Sequence, residues 1–259
     1  MLWASIPNIL IKILIAHTGK LTPVSDKNSR NIPYGWILAA VLVVWQLYVA
    51  GWDATAQGGT LIHYGARKPN FGFPQAPWRL VASMFLHSGW LHLSVNCLLI
   101  AWWGNQLSKL VGGLLFFLSF LATGLWGSLL SDIYGPEALA IGASGGSSGL
   151  VTLLLVLSLL CADWEGWGKD GRWEARAWLK VSGGCLLLNV AMALGLTSAG
   201  VGVLDDWAHI GGAVSGFVLG LIASRGDGER HFWHWVGLGF LAGVALLIIW
   251  HRGSSPLGG

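Results

Sequence analysis

The sequence predicts an all-α polytopic membrane protein, on three observations. Charged residues make up 10% of the chain and hydrophobic ones 54%, against about 25% charged in a soluble domain. Apolar stretches of about 20 residues, the length that spans a bilayer as a helix, recur seven times. The 17 tryptophans suit membrane–water interfaces and the 38 glycines suit closely packed spanning helices. The net charge of +3 is small and scattered, which argues against nucleic acid as a partner, since that needs a clustered basic face. Cys97, Cys161 and Cys185 lie in apolar runs and read as small buried residues rather than disulfide partners or metal ligands.

Along the chain, residues 1–33 come first as an interfacial segment and linker. Leu2, Trp3, Ile6, Ile9, Leu10, Ile13 and Leu14 fall at helical spacing, interrupted by Ser5, Asn8 and Lys12. A signal peptide would begin with a basic region and carry a cleaner apolar block, so residues 1–18 read as an amphipathic helix lying in the interface. The expected spans are Tyr34–Gly51, Val81–Trp103, Val111–Leu130, Gly142–Ala162, Ala177–Leu196, Trp207–Ser224 and Phe232–Trp250. Six of them form a core over 34–224, and 225–259 holds the seventh span and a tail. The loop Asp53–Arg79 is rich in aromatics, including Tyr64, Phe71, Phe73 and Trp78, and is expected to lie partly in the interface.

Loop charge sets the orientation. With the N-terminus in the cytoplasm, 11 Lys and Arg fall on the inside and four, Arg67, Lys68, Arg79 and Arg252, on the outside. That bias is the positive-inside pattern. The second, fourth and sixth spans then run from outside to inside.

Three polar clusters mark those three spans, and each has a plain structural reading beside a chemical one. The second span carries His87, His92 and Asn96. His92 and Asn96 are four apart and share a helical face. Such residues can act as polar glue between helices, but three together at membrane depth point to function. The fourth opens with Gly142-Ala143-Ser144-Gly145 and continues Gly146-Ser147-Ser148-Gly149. A tight helix start packed on neighbours explains it structurally. A serine nucleophile at a helix start explains it chemically, because free N–H groups and the helix dipole stabilise an oxyanion there. The sixth begins Asp205-Asp206-Trp207-Ala208-His209, with Gly212 and Gly216 forming a small-xxx-small face. If that face meets the serine-bearing helix, His209 becomes a base within reach of a serine. All three clusters lie toward the outer side.

With these motifs in order, the sequence resembles the rhomboid intramembrane serine proteases over about residues 34–224. The resemblance is carried by Trp78-Arg79, by His87, His92 and Asn96, by Gly142-Ala143-Ser144-Gly145, and by Ala208-His209 with Gly212 and Gly216. Leu61 with Gly65-Ala66 is similar to the family's first-loop pattern. The resemblance implies a six-helix core with a seventh helix added. It also implies a Ser–His dyad with Ser144 as nucleophile and His209 as base. His92, Asn96 and the Ser144 N–H would form the oxyanion hole, with His87, Trp78, Arg79, Gly142, Gly145, Gly212 and Gly216 in support. It implies no metal or organic cofactor. Its expected partners are the lipid bilayer and single-span membrane protein substrates. The expected setting is a bacterial inner membrane, as a multi-pass protein with its site toward the extracytoplasmic side. Asp205 and Asp206 read as solvated loop charges rather than a third catalytic member, and His231-x-x-His234 as interfacial.

Two positions depart from the family pattern. Ser148 stands where a bulky residue usually supports the catalytic imidazole, about 6 Å deeper than Ser144 along a helix. Gly104-Asn105-Gln106-Leu107-Ser108 lacks the usual glutamate of G-x-x-L-E. The competing readings are a catalytically silent relative that binds membrane clients, and a small transporter with broken helices. The second predicts repeated halves, which the sequence lacks. A protease specialised for C-terminal sorting tails of exported proteins is a subclass of the serine protease reading.

Overall fold

The computed structural model describes residues 32–51, 57–68, 75–135, 139–162, 171–198 and 205–224, with side chains of the fifth stretch described to residue 188. The segment 1–31 and the seventh span Phe232–Trp250, with its flanks, lie outside the described residues. Among the described residues the regular structure is helical, apart from one isolated antiparallel bridge between Arg67 and Ala140. The helices are α1 (Tyr34–Ala50), α2 (Gly58–His63), α3 (Arg79–Ala82), α4 (Trp90–Val111), α5 (Gly113–Tyr134), α6 (Ser144–Leu160), α7 (Gly171–Ser198) and α8 (Asp206–Ala223), and a 3-10 turn at Ser83–Phe85 continues α3. By length and composition α5 and α8 can each cross a membrane, and α3 with α4 makes a third if taken as one bent span. Helices α1 and α6 are apolar but shorter, at 17 residues each.

The second expected span needs correction. Val81–Trp103 is not one helix. The first piece ends at Phe85, α4 begins at Trp90, and the two are bent by 98°. Leu86 is extended, and His87 lies in the break rather than on a helix. Broken backbone at membrane depth needs partners for its polar groups. Gln46 of α1 supplies them. Its Oε1 accepts from the His87 N–H at 3.0 Å and its Nε2 donates to the His87 carbonyl at 2.8 Å. Gln46 itself is fully buried.

Two other boundaries move for polar reasons. Helix α5 runs to Tyr134, past the expected end at Leu130, because Ser131 and Asp132 find partners inside the protein. Helix α7 starts at Gly171, ahead of the expected Ala177, since its charged first turns are helical outside the apolar stretch.

Helix α6 is the central element. It packs against α4, α5, α7 and α8, and its Leu150, Leu153, Leu154 and Leu157 are fully buried. The outward faces of α1, α4 and α5 expose Trp36, Val44, Leu98, Trp102 and Leu114, the apolar exterior a bilayer covers.

Between α5, α6 and α8 the contact is a glycine seam. A Cβ on Gly212 would strike the Gly145 backbone, and one on Gly216 the Gly149 backbone. The constant offset makes α6 and α8 parallel, with their N-termini side by side. A Cβ on Gly127 of α5 would lie 2.5 Å from the Ala208 carbonyl and 3.3 Å from Gly145 Cα. In lipid, where burial drives little helix association, this backbone proximity is the main attraction.

At the other end, Asn105, in the stretch that lacks the family's glutamate, joins two helices. Its Oδ1 accepts from the Gly35 N–H at 2.9 Å, tying α1 to α4. Ser108, at the glutamate position, is buried and donates to the Asn105 carbonyl at 3.0 Å.

Candidate active site

The chain enters α6 through a bridge, a left-handed glycine and a tight turn. Arg67 and Ala140 exchange backbone hydrogen bonds at 3.2 and 2.8 Å, and the Gly142 N–H donates to the Ser83 carbonyl at 2.9 Å. Gly142 has φ 116°, and a Cβ there would lie 2.7 Å from His92 Nε2 and 3.9 Å from Ser144 Oγ. Only glycine meets both conditions. Ser144 is the first residue of α6, and the first ladder bond runs from the Ser147 N–H to the Ala143 carbonyl. The N–H groups of Ser144, Gly145 and Gly146 therefore have no helical acceptor. The stretch that looks like a linker is a helix start pressed against His92.

His92 lies in the first turn of α4, with Nδ1 3.3 Å from Ser88 Oγ. Nε2 is the nitrogen that faces Gly142, and a Ser88 hydroxyl that donates to Nδ1 selects the tautomer with its proton on Nε2. Asn96 is buried one turn on. Its Nδ2 donates to the His92 carbonyl at 3.0 Å, and its Oδ1 lies 3.5 Å from Ser147 Oγ, whose nearer acceptor is the Ala143 carbonyl at 3.1 Å. The His87 ring packs on the His92 ring at 5.0 Å between centroids, and both of its buried nitrogens lack a hydrogen-bond partner among the described residues.

His209 is half-buried in the first turn of α8. The parallel seam sets that turn beside the start of α6: a Cβ on Gly145 would lie 3.1 Å from the carbonyl of Ala208, the residue before His209. Among the described residues no hydrogen bond joins His209 to Ser144 or to Ser148. Ser148 is half-buried, and its carbonyl accepts from Thr152 Oγ1 at 2.9 Å.

Asp205 corrects a sequence expectation. It is not a solvated loop charge. Its Oδ1 caps α8 by accepting from the Ala208 N–H at 3.0 Å, and its Oδ2 accepts from Ser131 Oγ at 2.5 Å and lies 3.8 Å from the Arg67 guanidinium. Asp132 of α5 pairs with Arg67 as well. Trp78 and Arg79 form a staple. The Arg79 guanidinium lies 4.7 Å from the Trp78 ring centre and donates to the carbonyls of Ile62 and Ala66 at 2.7 and 2.8 Å, which closes the loop after α2. No group of three His, Cys, Asp or Glu among the described residues is placed to hold a metal ion, and His231 and His234 lie outside them.

Gln46, Arg67, Ser83 and Ser147 are not among the residues that the sequence marks as functional. A signal for the first was present, since a lone glutamine inside an apolar span is costly unless it has work to do. Arg67 was visible only as an outside charge. Ser147 was overlooked in favour of Ser148, because which face of α6 meets Asn96 depends on how the helices cross.

The motif order and this geometry can be set beside known proteins. Residues 74–226 match the model of the Rhomboid domain. The chain belongs to the rhomboid family. Among its rhomboid relatives is "Rhomboid protease GluP" of Bacillus subtilis, 28% identical over 211 residues, covering 80% of this chain and 38% of that protein. "Rhomboid-type serine protease 2" of Emericella nidulans is 30% identical over 164 residues, covering 63% and 30%. "RHOMBOID-like protein 6, mitochondrial" of Arabidopsis thaliana is 32% identical over 148 residues, covering 56% and 43%. The match thus spans less than half the length of each of these rhomboids.

Proposed function

We propose that this rhomboid is an intramembrane serine endopeptidase working through a Ser144–His209 dyad. The observation that carries the reading is the first turn of α6. There Ser144 sits at a helix start whose first N–H groups have no helical acceptor, with His92 Nε2 across Gly142 and the His209 turn of α8 alongside. The names of the bacterial and fungal relatives, a protease and a serine protease, support the reaction class.

In this reading His209 takes the Oγ proton as Ser144 attacks a peptide carbonyl carbon. The oxyanion that forms is held by the Ser144 N–H, His92 Nε2 and Asn96 Nδ2. His209 then gives the proton to the leaving amine, and the C–N bond breaks. Water, deprotonated by the same imidazole, attacks the acyl-enzyme and frees Ser144. No metal is required. A spanning helix hides its peptide bonds, so the substrate is a single-span membrane protein that unwinds locally near the extracytoplasmic face. Helix-breaking residues such as glycine and proline favour that unwinding. The 11-to-four charge bias supports an N-terminus in the cytoplasm and a site toward the outside. The full arrangement of six core spans and a seventh, with boundaries at 34, 224 and 225, belongs to this proposal. The matched relatives come from a bacterium, a fungus and a plant, so family membership does not select a bacterial inner membrane.

The lack of a Ser144–His209 hydrogen bond among the described residues favours a second reading, a silent rhomboid that binds membrane clients. Dyad hydrogen bonds are often long before substrate arrives, so the protease reading stands first. The test is cleavage of a single-span substrate by the full chain in proteoliposomes, with fluorophosphonate labelling alongside. Wild type is expected to cut and to be labelled, and Ser144→Ala and His209→Ala to do neither. A wild type that neither cuts nor labels selects the client-binding reading. Cutting by Ser144→Ala removes the nucleophile assignment.

A further inference from the structure

Arg67 stands apart from the residues used so far. It is 3% exposed, in a short non-helical segment after α2, and it makes contacts to four separate segments. Its Nε donates to Ser83 Oγ at 2.9 Å, on the 3-10 turn that precedes His87. One terminal nitrogen donates to the Ser128 carbonyl at 2.5 Å and pairs with Asp132, both on α5. The other lies 3.8 Å from Asp205 Oδ2. Its own N–H and carbonyl pair with Ala140.

The destinations of these bonds matter more than their number. Ala140 lies four residues before Ser144. Asp205 lies four residues before His209 and caps its helix through the Ala208 N–H. Ser83, bonded to the side chain, also accepts from the Gly142 N–H through its carbonyl. One residue therefore grips the approach to the serine with its backbone and the cap of the histidine helix with its side chain. A buried guanidinium between two carboxylates is costly to assemble, and replacement by apolar packing is often neutral or stabilising. Such a cluster is a poor device for stability alone. Its planar fork, which fixes direction as well as charge, suits registration.

The geometry points to Arg67 as a positioning residue. Through its backbone pair with Ala140 and its side-chain pairs with Asp205 and Asp132, it sets the separation of Ser144 from His209. This rests on the dyad reading above. Arg67 touches no reacting atom, so its loss alters turnover more than substrate affinity.

The experiment is a kcat and KM comparison in proteoliposomes for wild type, Arg67→Met, Arg67→Lys, Asp205→Asn, the double variant Arg67→Met with Asp205→Asn, Trp103→Phe, Ser144→Ala and His209→Ala, with thermal midpoints for each. Arg67→Met is expected to lose about 100-fold in kcat, the scale set by an ångström of misplacement at a reacting pair, with KM nearly unchanged and slower fluorophosphonate labelling. Arg67→Lys restores the charge but not the fork, so it recovers only part of the loss. Asp205→Asn keeps a capping side chain and loses the ion pair. It is expected to lower kcat, and its effect is largely absent once Arg67 is already Met. Trp103→Phe, which removes the bond from Trp103 Nε1 to Ser182 Oγ at 2.9 Å between α4 and α7, is the stability control and is expected to keep its kcat. Wild-type kcat in Arg67→Met overturns the proposal, as does a loss that tracks the thermal midpoint equally in Trp103→Phe. If Arg67→Met does not fold, Asp205→Asn decides, and an unchanged kcat there is equally fatal. Cleavage by Ser144→Ala or His209→Ala overturns the dyad and this proposal together. Dead dyad variants beside a fully active Arg67→Met sink the positioning role alone.

Discussion

At the residue scale, the hydrogen bonds around Asn96 and Ser148 separate two serines that composition alone makes equivalent. Asn96 has its oxygen turned toward Ser147 and one amide proton on the His92 carbonyl, which leaves the second amide proton to meet a developing oxyanion. Asn96→Ala is therefore expected to lower kcat by about 10²–10³, the usual cost of one oxyanion-hole donor, measured with a single-span substrate and little change in KM. Ser148 makes no bond to His209, so Ser148→Ala is expected to stay within a few-fold of wild type in the same assay. A collapse of activity in Ser148→Ala would show that its hydroxyl orients the imidazole after all.

The element scale belongs to the glycine seam. Gly212 and Gly216 of α8 face the backbone of Gly145 and Gly149 on α6, so an added methyl meets main chain, which cannot swing aside. Gly212→Ala is expected to cost about 1–3 kcal/mol, the range of overpacked cores, read as a lowered thermal midpoint. It should also push His209 away from Ser144 and reduce cleavage. Gly184 of α7 has open space around its Cβ position. Gly184→Ala is expected to leave the midpoint unchanged or raise it slightly, since alanine is the better helix former.

Across the whole molecule, orientation can be tested apart from chemistry. Gln75, ahead of α3, and Lys109, in the last turn of α4, are both exposed and lie at opposite ends of the bent pair. With the site outward, Gln75→Cys in intact cells is expected to react with a membrane-impermeant maleimide. Lys109→Cys should react only after permeabilisation. The reverse pattern would place Ser144 on the cytoplasmic side and remove the proposed substrate face.

The sequence determined the membrane class, the apolar stretches that became α1, α5, α6 and α8, the i,i+4 pairing of His92 with Asn96, and the glycine face of α8. These depend on composition and on a helical period that residues set for themselves. Only the tertiary structure decided that the second stretch breaks at Leu86–Gly89, since that break depends on Gln46, 41 residues away, to satisfy the His87 backbone. It also decided that Asp205 is a cap and an ion-pair partner rather than a solvated charge, and that Ser147 is the serine beside Asn96. A buried polar group is stable only with its partner, and the Arg67 guanidinium reaches Ser128, Asp132 and Asp205, which lie 61, 65 and 138 positions along the chain. Periodicity carries no information across that distance; packing of the helices does.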